Sequence, residues 1–337
     1  MKNDSGYALL QRAFLQGLLA LSLLAAWPAS WAADALPSWR DGPAKQAIIK
    51  FVTSVTDTNA KTYVRPDDRI AVFDNDGTLW SEQPFYFQIY FMADQVRAAA
   101  PKHPEWQELP EFKALMARDM PALMKIGPKP VLELLAQANS GMTTDEYDKA
   151  IDDWLFFSRH PRFNRPYTDL VYQPMKELLR YLEMNFFKNF IVSGGGIEFM
   201  RVWSKKAYGI PPERVIGSIG EVKFEEKDGK PVLTKLPKLG FLDDGPGKPV
   251  GIYRNIGRQP IFAFGNSDGD LQMLQWTAAG KGPRFMGLVH HTDDKREWAY
   301  DRTSHIGKLD KALDEAQAKG WVVVDMKKEW AKVYAFD

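Results

Sequence analysis

Apolar residues along the chain follow two rhythms. Ile48, Ile49, Phe51 and Val52 recur at helical spacing and predict a helix from Ala44 to about Val55. Arg69 to Phe73 is a short apolar run of strand length. From Pro84 to roughly Arg165 the pattern stays helical and rich in aromatics, with breaks near Pro101, Pro110, Gly127-Pro128 and Ser140-Gly141. No alternating β-branched run interrupts that stretch.

Beyond it, short apolar runs alternate with amphipathic ones. Gln173 to Leu182 predicts a helix, Phe187 to Val192 a strand, and Phe199, Val202 and Trp203 the apolar side of another helix. Val215 to Ile219 predicts a strand. Glu221 to Lys235 predicts a β-hairpin turning at Asp228-Gly229, because an Asp-Gly pair tolerates the positive φ angles of a tight turn. Lys248 to Ile256 predicts a helix, Pro260 to Phe264 and Phe285 to His290 two strands, Lys308 to Ala318 a helix, and Trp321 to Val324 a last strand. Strands alternating with helices imply an α/β fold, a Rossmann-like parallel sheet core flanked by helices, with the helical stretch inserted as a cap. The expected division is a signal peptide over 1–32, the core over 33–82 and 168–337 with its hairpin at about 221–235, and the cap over 83–167.

The beginning of the chain departs from this pattern. Lys2 and Arg12 precede an apolar run from Ala13 to Ala26, then Pro28 and the small-x-small site Ser30-Trp31-Ala32. That layout predicts a secretory signal cleaved after Ala32. The run falls short of the ~20 apolar residues that a membrane span needs, so no stable membrane association is expected after cleavage. Cleavage removes Lys2 and Arg12 from 44 basic residues and Asp4 from 43 acidic ones, leaving 42 of each. A balanced charge gives no reason to expect a nucleic-acid partner. The chain has no cysteine, which excludes disulfides and thiolate metal sites. A periplasmic or secreted bacterial protein is the expectation.

Candidate chemistry gathers where apolar runs end. Asp74 and Asp76 follow the first strand one residue apart, so in extended chain both face one side, and Gly77 lets the backbone turn. Neighbouring carboxylates repel unless a cation or a shared proton relieves them. Ser193-Gly194-Gly195 ends the second strand, and Gly265-Asn266-Ser267-Asp268-Gly269-Asp270 ends the third. Ligands collect at the carboxyl ends of strands in such sheets. Lys248 adds one ammonium, with Lys238 as its competitor. Hard oxygen ligands without thiolates suit magnesium, and a hydroxyl, glycine amides and an ammonium suit the oxygens of an anion.

Phe73-Asp74-Asn75-Asp76-Gly77-Thr78-Leu79, Val192-Ser193-Gly194-Gly195, Lys248 and Gly265 to Asp270 resemble, in order and spacing, the four motifs of the haloacid dehalogenase superfamily, in its phosphoserine-phosphatase-like branch. The resemblance spans about residues 65 to 290. It implies a phosphatase acting on a small phosphorylated substrate, with Asp74 as nucleophile and Asp76 as the acid and base. Ser193, Gly194 and Lys248 would hold the phosphoryl group. Mg2+ would be held by Asp74, the Asp76 carbonyl and the last motif, through Asn266 or through Asp270 or Asp268. An Asp at position 76 favours phosphate esters over haloacids.

Two departures stand out. The branch commonly carries an acid where this chain has neutral Asn266, and the acid that grips the serine amine has no match, since Gln83 occupies its place with Glu82 one residue earlier. A phosphate-ester binding protein without turnover, or a phosphotransferase, would use the same residues. Helix packing is the expected role of most of Trp80, Phe85, Tyr86, Phe87, Tyr90 and Phe91. His290 and His291 are read as structural.

Overall fold

The computed structural model describes residues 34–337, so the signal segment expected over residues 1–32 lies outside the described residues. Eight strands form one sheet: β1 (Ile70–Phe73), β2 (Lys188–Gly196), β3 (Val215–Lys227), β4 (Lys230–Phe241), β5 (Phe262–Gly265), β6 (Phe285–Thr292), β7 (Ala299–Tyr300) and β8 (Val322–Asp325). Their order is β4-β3-β2-β1-β5-β6-β7, with β8 also paired to β6. β1 lies at the centre, parallel to both β2 and β5, and β3, β6 and β8 continue the parallel set. The parallel Rossmann-like core expected from the sequence is what the chain builds.

Alternation along β1 shows how the layers form. Ile70 and Val72 point to one face, against Ile252, Leu274 and Leu313 of helices Gly247–Ile256, Leu271–Ala278 and Lys311–Lys319. Ala71 and Phe73 point to the other, against Ile48, Val52, Met175 and Leu178 of helices Pro43–Thr56 and Gln173–Met184. With both faces covered, a parallel sheet carries apolar residues at every position, and all four residues of β1 are buried.

The segment between β1 and β2 is helical. Phe87–Ala99, Pro110–Ala117, Met120–Ile126 and Pro128–Ala138 share their own apolar cluster, including Met92, Leu115, Leu123 and Leu134. Helix Thr144–Phe157 behaves differently. It buries Tyr147, Ile151 and Leu155 in the cluster that includes Phe73 and Phe199.

Several elements differ from the sequence reading, two of them near the site. The strand expected at 215–219 and the hairpin expected at 221–235 are one continuous structure, because β3 runs straight on into the hairpin and β4 returns to Phe241. The turn is at Asp228-Gly229 as expected, both with positive φ (53° and 72°). Helix Leu271–Ala278 has no counterpart in the sequence reading. Its apolar signal is present in Leu271, Met273 and Leu274, but the polar run before it masks the start. Among the described residues, no helix is long and apolar enough to cross a membrane.

Candidate active site

Parallel register sets the site. Phe73 pairs with Ile191 and with Phe264, so Asp74, Ser193 and Asn266 emerge at the same edge of the sheet. The Asp74 amide donates to the Phe264 carbonyl at 2.9 Å, the last ladder bond before the chains diverge. Gly77 then takes a φ of 74°, and its amide donates to the Trp80 carbonyl at 2.8 Å, closing a tight loop.

Lys248 lies on the first turn of helix Gly247–Ile256 and is buried. Its Nζ donates to Asp74 Oδ1 and to Asp270 Oδ1, each at 2.6 Å. Lys238, the competitor, is instead exposed on β4 and pairs with Glu221 at 2.7 Å. The other oxygen of Asp270, Oδ2, accepts the amides of Asn266 at 2.9 Å and Ser267 at 3.0 Å. Asp270 is thus tied to Lys248 and to its own loop. Asp268 is occupied too, its Oδ1 accepting the amides of Asp310 and Ala312 at 3.0 and 2.9 Å.

Burial pushes the carboxyl of Asp74 well above the ordinary range, the charge of Asp270 adds to it, and Lys248 opposes both. Burial also pushes Asp76 up, to about 6, against the hydrogen bond from Trp80 and the charge of Lys248. Lys248 is held above its ordinary value: burial acts against the ammonium, but the charges of Asp270 and Asp74 outweigh it.

Asp74, Asp76, Ser193, Gly194 and Lys248 all line one cavity of about 220 Å3. Ser193 Oγ accepts the Gly195 amide at 3.1 Å, which shapes the turn after β2. Several residues of the site escaped the sequence reading. Trp80 Nε1 donates to Asp76 Oδ1 at 2.7 Å while its ring stacks on Trp203 at 4.2 Å, so a residue expected only to pack also fixes Asp76. Gln88 lines the cavity from the helical segment and accepts the Gly196 amide at 2.8 Å, joining that segment to the turn after β2. Asp244 and Tyr86 line it as well. The Asp-Asp-Gly-Pro-Gly run before Lys248 was the available signal for Asp244.

Glu82 is buried and lines the same cavity. Its Oε1 accepts from Asn266 Nδ2 at 2.7 Å and from the Tyr300 hydroxyl at 2.8 Å, and Thr78 Oγ1 donates to Asn266 Oδ1 at 3.1 Å. Burial raises the carboxyl of Glu82 well above its ordinary value, with the Tyr300 bond opposing. His291 is buried behind the loop, with Nε2 2.8 Å from the Gly77 carbonyl and Nδ1 3.1 Å from Glu297.

The model for haloacid dehalogenase-like hydrolases matches residues 71–275, a span that holds all four strand-end motifs. The chain belongs to this family. No curated protein matches it in sequence. Among solved structures it is similar to a protein of unknown function from Bordetella pertussis Tohama I, at 16% identity over 77% of this chain and 98% of that one, TM-score 0.48. It is also similar to a functionally unknown protein from Anaerococcus prevotii DSM 20548, at 16% identity over 82% and 88%, TM-score 0.49. A probable phosphoserine phosphatase from Vibrio cholerae is similar at 14% identity over 75% and 69%, TM-score 0.39. At these similarities the three carry no argument about substrate.

The donor set of this haloacid dehalogenase-like hydrolase suits a hard divalent cation. Asp74, Asp76, Glu82 and Asp270 stand against the single ammonium of Lys248 in a buried basin, an excess of negative charge that such a cation relieves. Among the described residues no three acidic or histidine side chains close into a metal cage. A magnesium ion in general retains several waters and uses one or two carboxylates plus substrate phosphate.

Proposed function

We propose that the chain is an exported, magnesium-dependent phosphatase of small phosphomonoesters that works through an aspartyl-phosphate. One observation carries the reading: Lys248 stands 2.6 Å from Asp74 at a cavity that Asp76, Ser193 and Gly194 share. A carboxylate nucleophile, a second carboxyl for protons and an anion-holding floor are what phosphoryl transfer uses.

In the proposed sequence, an oxygen of Asp74 attacks phosphorus and the bond to the ester oxygen breaks. Protonated Asp76 gives its proton to the departing alkoxide, and an alcohol leaves. Asp76, now ionised, takes a proton from water as the water oxygen attacks the same phosphorus. The bond to Asp74 then breaks, freeing phosphate and restoring both carboxyls. Burial supports the first role of Asp76 by raising its carboxyl towards neutral pH. Lys248 neutralises charge on the phosphoryl oxygens, and Asp270 holds Lys248 in place. Magnesium, held by Asp74, the Asp76 carbonyl and Asn266, would supply further positive charge there when bound.

The opposite wall suggests the alcohol. Ile89, Met92, Met120, Leu123, Val131 and Leu132 line it, all from the helical segment. An ester of an uncharged, largely apolar alcohol fits such a wall, because an ammonium or a second phosphate would be desolvated there without a partner. Export is part of the proposal and rests on the pattern of residues 1–32. Neutral Asn266 favours, as a second reading, a binding protein without turnover.

Purified protein should release phosphate from 1-naphthyl phosphate with magnesium and stop when EDTA is added. Asp74→Asn should lower the rate about 10^3-fold or more. Full activity in that variant overturns the nucleophile, and tight binding with no phosphate released from a broad ester panel turns the reading to the binding protein. Recovery of the chain only in the cytoplasmic fraction of its host overturns export.

A further inference from the structure

Glu82 is a buried carboxylate with no cationic partner among the described residues. Taking an ionised carboxylate out of water is costly even after relaxation, so one beside a cavity either keeps a proton or gains a counter-charge. The fold is hollowed to receive it. Gly77 and Gly307 both have positive φ (74° and 60°), and a Cβ on either would collide with Glu82 Oε1. The Cβ at Gly77 would also collide with Asn266 Nδ2. Both hydrogen bonds that Glu82 accepts fall on Oε1, from Asn266 and Tyr300. Oε2 carries neither.

Asn266 is fixed at both ends by this arrangement. A hydroxyl donates to its Oδ1 and a carboxylate accepts from its Nδ2, so the amide has one orientation. The accepting carboxylate draws on the amide protons and leaves Oδ1 the richer donor to a cation. An outer carboxylate of this kind tunes the ligand it touches.

We infer that Glu82 supplies the negative charge of the divalent-cation site that neutral Asn266 does not, acting through Asn266 as a positioning residue. The inference rests on the proposed metal site. Its test reads cation affinity, not turnover.

Titration calorimetry with Mg2+, and with Mn2+ as a second probe, on the full chain gives that affinity. Glu82→Gln should weaken it about 10- to 100-fold, the range for loss of an outer-shell partner. Asn266→Asp alone puts two carboxylates across a 2.7 Å contact and should lower the thermal midpoint without improving affinity. The double variant, Glu82→Gln with Asn266→Asp, exchanges the two ends of that hydrogen bond, with Tyr300 still able to donate. It should return affinity to within a few-fold of the natural chain, which a merely structural role for Glu82 does not predict. Unchanged affinity in Glu82→Gln overturns the inference. So does a double variant that binds no better than Glu82→Gln. If Glu82→Gln does not fold, the double variant decides alone, and it must both fold and bind. A natural chain that binds neither cation removes the metal from the proposed function, a different outcome from a failure of Glu82 alone.

Discussion

The floor and the wall of the cavity are built from opposite materials. The floor is charged, buried and tied: Lys248 bridges Asp74 and Asp270, Trp80 holds Asp76, and Glu82 holds Asn266. The wall is mostly apolar and carried by helices with a core of their own, tied to the floor side through Gln88. Groups that need placement to a few tenths of an ångström stand at the ends of strands locked in register. Groups that need only a shape and a surface stand on a packed helical layer. Reaction and selection are thereby separable, and three measurements test the separation.

The largest effect belongs to the floor. Lys248→Met leaves two carboxylates facing each other without their ammonium. Breaking a buried pair by removing one partner costs about 3–5 kcal/mol, so the unfolding midpoint in urea should drop sharply and phosphate release should fall with every ester. Near-natural stability would mean the bridge does not anchor the floor.

An intermediate effect belongs to the wall. Met124→Ser and Leu132→Ser remove apolar surface at two lining positions that are not fully buried. Each should lower kcat/KM for 1-naphthyl phosphate about 10-fold, in line with roughly 1–3 kcal/mol for apolar contacts in a specificity pocket. Ethyl phosphate, with little apolar surface to bury, should be affected less. Equal losses on both esters would erase the distinction between floor and wall.

The smallest effect lies beneath the floor. Asp243 is fully buried, and neither of its carboxylate oxygens has a hydrogen-bond partner among the described residues. Burial pushes its carboxyl up to about 8, with Lys248 opposing and Asp244 adding to the rise. The folded chain therefore keeps a proton that the unfolded chain loses near the ordinary value of 3.8. Between those two values the folded state binds more protons, so this group's contribution makes stability fall as pH rises from about 4 to about 8. Asp243→Asn should flatten the dependence of the thermal midpoint on pH over that window. Parallel profiles for the two proteins would show that Asp243 does not carry this pH dependence.

Much of the floor was legible in the sequence because its residues sit at punctuation: an apolar run followed at once by Asp, Ser or Asn with glycine. That punctuation marks Asp74, Asp76, Ser193 and Asn266. Lys248 was harder, lying in a Gly-Pro-Gly-Lys turn that reads equally as a solvated loop, and burial between two carboxylates distinguished it from Lys238. In the sequence Glu82 stands out only as the neighbour of Gln83. Its importance comes from Asn266, 184 residues away along the chain, and from Tyr300. Trp80 looked like packing because aromatic spacing reports burial and says nothing about where an indole N–H points.

What the sequence determined by itself is local. Apolar runs of strand length, amphipathic helices and an Asp-Gly turn follow from side-chain periodicity and backbone preference, which act over a few residues. Together they specify a parallel sheet and the types of residue at its strand ends. What only the tertiary structure decided is which of those residues touch. Lys248 bridging Asp74 and Asp270, Glu82 across from Asn266, and an apolar wall facing a charged floor all depend on packing between distant segments. Contact there is set by the fit of whole layers, which no stretch of sequence records.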